Sequence, residues 1–276
     1  MNKAVGIIGY GNMGSAIAER IKKKYQVAVF DKDKNKTQKL FGVDVTDTIL
    51  DLVNKSDVII LAVKPQDFDS VLNEIKGYLN GRLIISIAAG ITTGHIEKIL
   101  VAQRVVRVMP NMPVKIGKGM TCLCKGRFAT AEDLNFTERL FKYVGQTIIL
   151  NEDMMDAATA ISGSGPGYYF DVIESNQDVY KNNRRRLLKE FIASLADAAE
   201  NNGFSRKEGK LLAVTTGNAS DYLLIETKKS PTELKKQIAS KGGTTEAGLK
   251  VLKGRIANLR KAVKAAVKRA KELSRG

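Results

Sequence analysis

The chain has 276 residues, 43% of them hydrophobic, which is enough for a sizeable core and more than a single domain usually takes. Lys and Arg outnumber Asp and Glu 45 to 29, a formal net charge of +16 that raises the question of a nucleic-acid partner. The distribution argues against one: residues 1–150 hold 22 basic against 14 acidic side chains, 151–252 hold 14 of each, and 253–276 hold nine against one. The last segment places Ile256, Leu259, Val263, Ala266, Ala270 and Leu273 on one helical stripe with lysines and arginines opposite, the pattern of a docked helix with a solvated basic face.

Short, almost wholly apolar runs at 5–8, 27–30, 58–63, 83–87 and 105–108 predict buried strands, with helices predicted over 15–24, 67–76 and 93–100 between them. A strand over 121–124, a helix from near Thr130 and a strand over 147–150 close this half. Alternating strands and helices of this kind belong to a parallel sheet covered on both faces. The run 58–63 is the longest without a polar residue and is far too short to span a bilayer, so no membrane partner is expected. The start of the chain enters a strand without a signal-peptide pattern, and Cys122 and Cys124 lack the second pair a metal site needs, so a cytoplasmic protein with no metal is expected.

From about Glu152 the strand signals stop and helices are predicted over 164–179, 185–202, 206–227, 231–239 and from 244 almost to the end. The expected fold is therefore α/β. A Rossmann-type dinucleotide-binding domain over 1–152 precedes an all-α domain over 153–276.

Gly9-Tyr10-Gly11-Asn12-Met13-Gly14 follows the first strand and opens the first helix, and Asp31 ends the second strand. In that context the motif predicts dinucleotide binding. Gly9 makes the tight turn, Gly11 lets a pyrophosphate approach the backbone, and Gly14 lets helix pack on strand. Asp31 favours NADH through the ribose 2′-OH, whereas Lys32, Lys34 and Lys36 beside it offset the repulsion a 2′-phosphate would feel, so NADPH and NADH both stand.

The carboxyl ends of the later strands, where ligands of open α/β sheets bind, read Ala62-Val63-Lys64-Pro65, Ser86-Ile87-Ala88-Ala89-Gly90 and Arg107 to Pro113. They offer small residues and prolines but few acid–base groups. His95, the single histidine, sits at a helix start, which disfavours dehydrogenases that need a histidine base. Lys64 reads equally as a catalytic amine or as a residue used through its backbone. A β-hydroxyacid dehydrogenase would need a catalytic Lys and Asn, and Lys210 with Asn218 has the wrong spacing. Late in the chain, Ser240-Lys241-Gly242-Gly243-Thr244-Thr245-Glu246 at the opening of a helix reads either as an anion cradle or as a capped turn.

Taken in order, Gly9–Gly14, Ala62–Pro65, Ser86–Gly90, Arg107–Pro113, Ser162–Pro166 and Ser240–Leu249 resemble the pyrroline-5-carboxylate reductases over nearly the whole chain. The resemblance implies NAD(P)H-dependent reduction of 1-pyrroline-5-carboxylate to L-proline in a homodimer or higher homo-oligomer such as a decamer. Each active site is then shared between the cofactor cleft of one subunit and the helical domain of its partner. It further implies that Gly9, Gly11, Asn12, Met13 and Gly14 hold the pyrophosphate. Val63, Lys64, Pro65, Ala88 and Ala89 line the nicotinamide with Asn111 nearby, and Gln237 reaches the cofactor from the partner. Glu152, Gly243, Thr244 and Thr245 contact the substrate, with Thr245 as the catalytic hydroxyl. Lys241, Met112 and Gly167 depart from the family pattern, where Pro, Thr and Ala are common, and 176–186 is unusually basic for a turn between helices. The rival readings are a reductase of another cyclic imine and a dinucleotide-binding regulator using its basic C-terminal helix.

Overall fold

A computed structural model describes residues 3–275; Met1, Asn2 and Gly276, which include the outer limits of the two expected domains, lie outside the described residues. The chain divides into two compact units, one running to Met109 and resuming over Cys122–Glu152, the other comprising Pro110–Thr121 and everything from Asp153 on.

The first unit is built on β1 (Val5–Ile8), α1 (Asn12–Ile21), β2 (Val27–Phe30), β3 (Asp44–Val45), α2 (Ile49–Asn54), β4 (Val58–Leu61), α3 (Pro65–Ile75), β5 (Leu83–Ser86), α4 (Thr93–Leu100), β6 (Val105–Met109), β7 (Gly119–Lys125), α5 (Ala131–Phe141) and β8 (Gly145–Ile149). The strands form one sheet in the order β3-β2-β1-β4-β5-β6-β7-β8, parallel from β3 through β6, with β7 antiparallel to β6. Every residue of β1, β4 and β5 is buried, because helices cover both faces and no side chain of these strands faces water. Leu52, Val53, Phe68, Leu72, Ile75 and Ile96, from α2, α3 and α4, pack on Ile59, Leu61 and Ile84 of the sheet. The pattern did not predict β3 or α2: a two-residue edge strand and a six-residue helix are too short to show a period. The start of α2 is set locally by Thr48, whose hydroxyl accepts from Asp51 N–H.

The second unit continues with α6 (Met155–Ala158), which runs into a π-helical turn over Thr159–Gly163, then α7 (Gly165–Ser175), α8 (Gln177–Glu200), α9 (Arg206–Thr227), α10 (Pro231–Ile238), α11 (Thr244–Leu252) and α12 (Leu259–Arg275). Capping boxes Ser205/Glu208 and Ser230/Glu233 start α9 and α10.

The break expected over 180–184 is present, since Asn183 leaves helical geometry (φ −148, ψ 49) and kinks α8. A further break falls at Asn176, whose amide donates to Val172 O and Gly254 O. The single helix expected from 244 onward is two, because Lys253 and Gly254 both adopt positive φ and Gly254 N–H donates to Asp171 at 2.8 Å. A Cβ at Gly254 would stand 1.9 Å from Ser175 Oγ, so the crossing needs glycine. The basic last helix buries Leu259, Ala262, Val263, Ala266 and Ala270 and packs on α8 and α11, while Leu273 remains over a third exposed. Among the described residues no helix is long and apolar enough to cross a membrane.

Candidate active site

In the first unit the ligand-binding edge is assembled at the carboxyl ends of β1, β4 and β5, which are neighbours in the sheet. Gly9 has φ +103, and a Cβ there would lie 2.6 Å from Ala62 O, so the turn out of β1 admits only glycine. At Gly14 a Cβ would lie 2.0 Å from Gly9 O, which is the close helix-on-strand packing the motif predicts. Gly11 is different. Its φ is negative, and a Cβ built on it meets nothing within 4 Å. Neither strain nor internal packing calls for glycine at this position; an outside group coming close to the backbone does. Gly11 is also the N-cap of α1, with no side chain capping it and no acidic residue in the first turn, so the helix end favours an anion. Asn12 and Met13 occupy the first positions of that helix. These residues fit a pyrophosphate.

Val63 and Ala89 are half-buried and Ala88 is buried in the turns after β4 and β5. Lys64 is the exposed N-cap of α3 in extended conformation, followed by Pro65 as the first helical residue. Small side chains and a proline leave the backbone of both turns open to a flat ring. A separate cleft of about 590 Å³, bounded by Ala4, Gln26, Val27 and Lys55, opens where strands begin rather than end and shares no residue with the motif.

Four of the predicted residues, Asp31, Lys32, Glu152 and Asn111, spend their polar atoms on neighbours within their own unit. Asp31 is buried, and its carboxylate accepts Tyr10 N–H at 2.7 Å, Asp33 N–H at 2.9 Å and the Lys36 ammonium at 3.1 and 3.4 Å. Burial pushes its pKa up, but the two N–H groups and Lys36 outweigh burial and hold it below the usual carboxylate range. Two backbone N–H groups and one ammonium thus hold the carboxylate, and Asp31 ties the glycine loop to β2. Lys32 pairs with Asp67 at 2.8 Å on the surface.

Glu152 likewise uses its carboxylate internally. It accepts Thr93 N–H at 2.7 Å and Thr93 Oγ1 at 2.5 Å at the start of α4, with the buried Arg107 guanidinium 3.5 Å away. Asn111 is 1% exposed, its amide N–H donates to Ser162 O at 3.1 Å and its carbonyl accepts Met120 N–H at 2.9 Å. A side chain so buried and bonded at both ends pins 110–121 to the π-helical turn.

In the second unit the 240–246 segment is a built turn. Gly243 N–H donates to Ser240 O at 3.0 Å, Gly242 N–H to Glu246 at 2.7 Å, and Arg269 of α12 to Gly242 O at 2.7 Å. The Gly242 N–H, with Lys250 and Lys241, keeps the Glu246 carboxyl below its ordinary pKa. Gly243 is the N-cap of α11, has no capping side chain, and leaves no room for one: a Cβ would lie 2.3 Å from Ser240 Oγ. Of the two readings of this stretch, a capped turn is therefore ruled out by geometry. Lys241 projects at the exposed apex, while Gln237 accepts Lys115 Nζ at 3.3 Å within this unit.

Behind the uncapped helix start, the expected Thr244 and Thr245 are joined by Ser164 and Tyr168, to which sequence reasoning gave no individual role. Thr245 Oγ1 donates to Ser164 Oγ at 2.9 Å, and Thr244 Oγ1 lies 3.2 Å from the same oxygen. Ser164 and Thr245 are both buried. The Tyr168 hydroxyl, fully buried beside Ser164, makes no hydrogen bond of ordinary geometry, and desolvation raises its pKa. Ser164 stands in the Ser162–Pro166 run, and its contacts form only once α7 and α11 are packed together.

Taken each on its own, these two units define an oxidoreductase class: a Rossmann sheet with an open dinucleotide cradle, followed by a helical unit with an anion-accepting helix start. Residues 4–90 match the model of the NADP oxidoreductase, coenzyme F420-dependent family, and 187–275 match that of the pyrroline-5-carboxylate reductase dimerisation family. A pyrroline-5-carboxylate reductase of Methanosarcina acetivorans is 35% identical over 99% of this chain and 97% of its own. Among solved structures, a pyrroline-5-carboxylate reductase from Coxiella burnetii aligns with TM-score 0.67 and 33% identity over 99% of both chains. One from Plasmodium falciparum, solved with NADP bound, aligns with TM-score 0.64 and 31% identity over 99% of this chain and 98% of its own. The chain belongs to the pyrroline-5-carboxylate reductase family.

Proposed function

We propose that the chain reduces 1-pyrroline-5-carboxylate to L-proline with NADPH or NADH. The observation that carries this reading is the uncapped start of α11, with Thr244 and Thr245 at its first two positions. A helix N-terminus without a side-chain cap favours a carboxylate by about 0.3–1 kcal/mol, up to about 2 when partly buried. Family membership and the open cradle at Gly11 support the cofactor half of the proposal.

The substrate is a five-membered cyclic imine bearing a carboxylate. A bound reduced nicotinamide supplies a hydride to the ring carbon. As that C–H bond forms, the C=N π pair withdraws onto nitrogen and leaves the secondary amine, so a protonated imine needs no further proton during the step. This accounts for a chain with few acid–base groups at the strand ends. Positioning supplies the catalysis, and orienting the reactants contributes roughly 7–11 kcal/mol. The N–H groups at the start of α11 take the carboxylate, and the Thr245 hydroxyl faces the ring nitrogen. Gly11, Asn12, Met13 and Gly14 take the pyrophosphate; Val63, Lys64, Pro65, Ala88 and Ala89 frame the ring.

The protein acts as a homodimer or a higher assembly such as a decamer, in the cytoplasm; the match of 187–275 to the dimerisation family supports the oligomer. The test follows NADPH and NADH oxidation with 1-pyrroline-5-carboxylate, alongside the molar mass in solution. Thr245→Ala should lower turnover while nucleotide affinity stays nearly unchanged. A wild-type protein that binds the nucleotides but does not oxidise them with this substrate rules the reading out.

A further inference from the structure

Ser164 connects two hydroxyls separated from it by about eighty residues of chain, and the proton count on these three groups is constrained. A hydroxyl has one proton to donate and two lone pairs to accept with. Thr245 Oγ1 donates to Ser164 Oγ at 2.9 Å. Ser164 then has its own proton to place, either on Thr244 Oγ1, 3.2 Å away, or on the buried Tyr168 hydroxyl, where a hydrogen bond with Ser164 works against the desolvation that raises the Tyr168 pKa. With either acceptor, Ser164 receives the Thr245 proton and passes its own elsewhere. Both Ser164 and Thr245 are buried, so water does not readily reset this order.

We propose that Ser164 is a positioning residue that, by taking the Thr245 proton, leaves Thr245 with outward lone pairs and so makes it an acceptor for a protonated ring nitrogen. The enzyme thus selects the iminium over the neutral imine. This rests on the reading above, and it fixes what that reading left open, namely which way the Thr245 hydrogen bond runs. An acceptor at nitrogen stabilises the N–H of the iminium and withholds a donor from the neutral imine, which presents a lone pair instead. Ser164 acts through Thr245 and does not itself touch the substrate.

The test is the pH profile of kcat/KM. In the wild type it falls as pH rises through the imine's own pKa, because the selected species disappears. Ser164→Ala releases the Thr245 proton, which turns outward and serves the neutral imine. At acidic pH the variant should be down about tenfold, one hydrogen bond's worth, mainly in KM. At alkaline pH the gap should close, while NADPH affinity and Tm stay near wild type. Thr244→Val removes the acceptor at the other end and should shift the profile in the same direction by less, which keeps the test open if Ser164→Ala folds poorly. Thr245→Ser should retain the wild-type profile. Variant profiles parallel to wild type, whether offset or coincident, would overturn the proposal, since a merely structural Ser164 lowers activity equally at every pH. A wild type that binds NADPH but is inactive on the imine would instead remove the reading beneath it, and the proposal with it.

Discussion

A Cβ placed on Gly167 would stand 2.7 Å from the Thr245 methyl carbon, so α7 and α11 touch through a residue with no side chain beside the hydroxyl proposed above to face the substrate. Carbon atoms do not approach so closely without displacing one another. Gly167→Ala should therefore push Thr245 off Ser164. We expect a drop in kcat/KM of about tenfold, the loss of one aligned hydrogen bond, with unchanged nucleotide affinity. Steady-state kinetics beside a nucleotide titration checks it, and an alanine variant of full activity would show that the neighbouring helix yields without cost.

Gly11 offers the opposite case. A Cβ there meets nothing within 4 Å and its φ is negative, so Gly11→Ala should leave the free protein as stable as before, or more stable by about 0.4–1 kcal/mol through the unfolded chain. NADPH affinity should fall at least about tenfold, because the methyl occupies the space a pyrophosphate needs. Tm without nucleotide and Kd by titration separate the two effects. Unchanged Kd would mean that the cradle is not where the phosphates sit.

Asp31 links folding to acid. Its pKa is below the unfolded value, so the stability it contributes is fully present above the ordinary carboxylate pKa of about 3.9 and is lost as pH falls through the lower folded value. Asp31→Asn should lower Tm by several degrees at neutral pH. The gap should shrink as the pH is taken below about 4, where wild-type Asp31 also loses its charge. A gap that stays constant down to strongly acidic pH would mean that Asp31 stabilises by shape rather than by charge.

Asp221 holds the kinked start of α8 to α9. It is buried and accepts Tyr169 Oη at 2.9 Å, Tyr180 Oη at 3.2 Å and the Arg184 guanidinium, whose Nε lies 2.9 Å from both carboxylate oxygens. Removing one partner of a buried pair costs about 3–5 kcal/mol, and the partial exposure of Arg184 lets water recover some of that. Asp221→Ala should cost about 2–3 kcal/mol, or roughly 3–5 °C in Tm for a chain of this size. The basic stretch 176–186, odd for a turn, is explained in part by this use of Arg184. A Tm within a degree of wild type would show that the network contributes little.

Residue order alone determined a good deal. Buried parallel strands declare themselves as short apolar runs because they have no wet face, and the glycines at 9, 11 and 14 follow the first such run closely enough to fix a dinucleotide turn. The small residues after β4 and β5 and the Gly-Gly-Thr-Thr start of α11 were legible for the same reason: each is a local backbone demand. What the tertiary structure decided were the partners of polar side chains, which depend on groups far away in the chain. Nothing near Asn111 indicates that Ser162 and Met120 will take both ends of its amide. Nothing near Asp31 or Glu152 indicates that backbone N–H groups and cations will fill their acceptor sites. Ser164 is the clearest instance. In sequence it is a hydroxyl in a glycine-rich run; packed against α11 it lies 2.9 Å from Thr245 Oγ1 and 3.2 Å from Thr244 Oγ1, because the fold brings together groups about eighty residues apart.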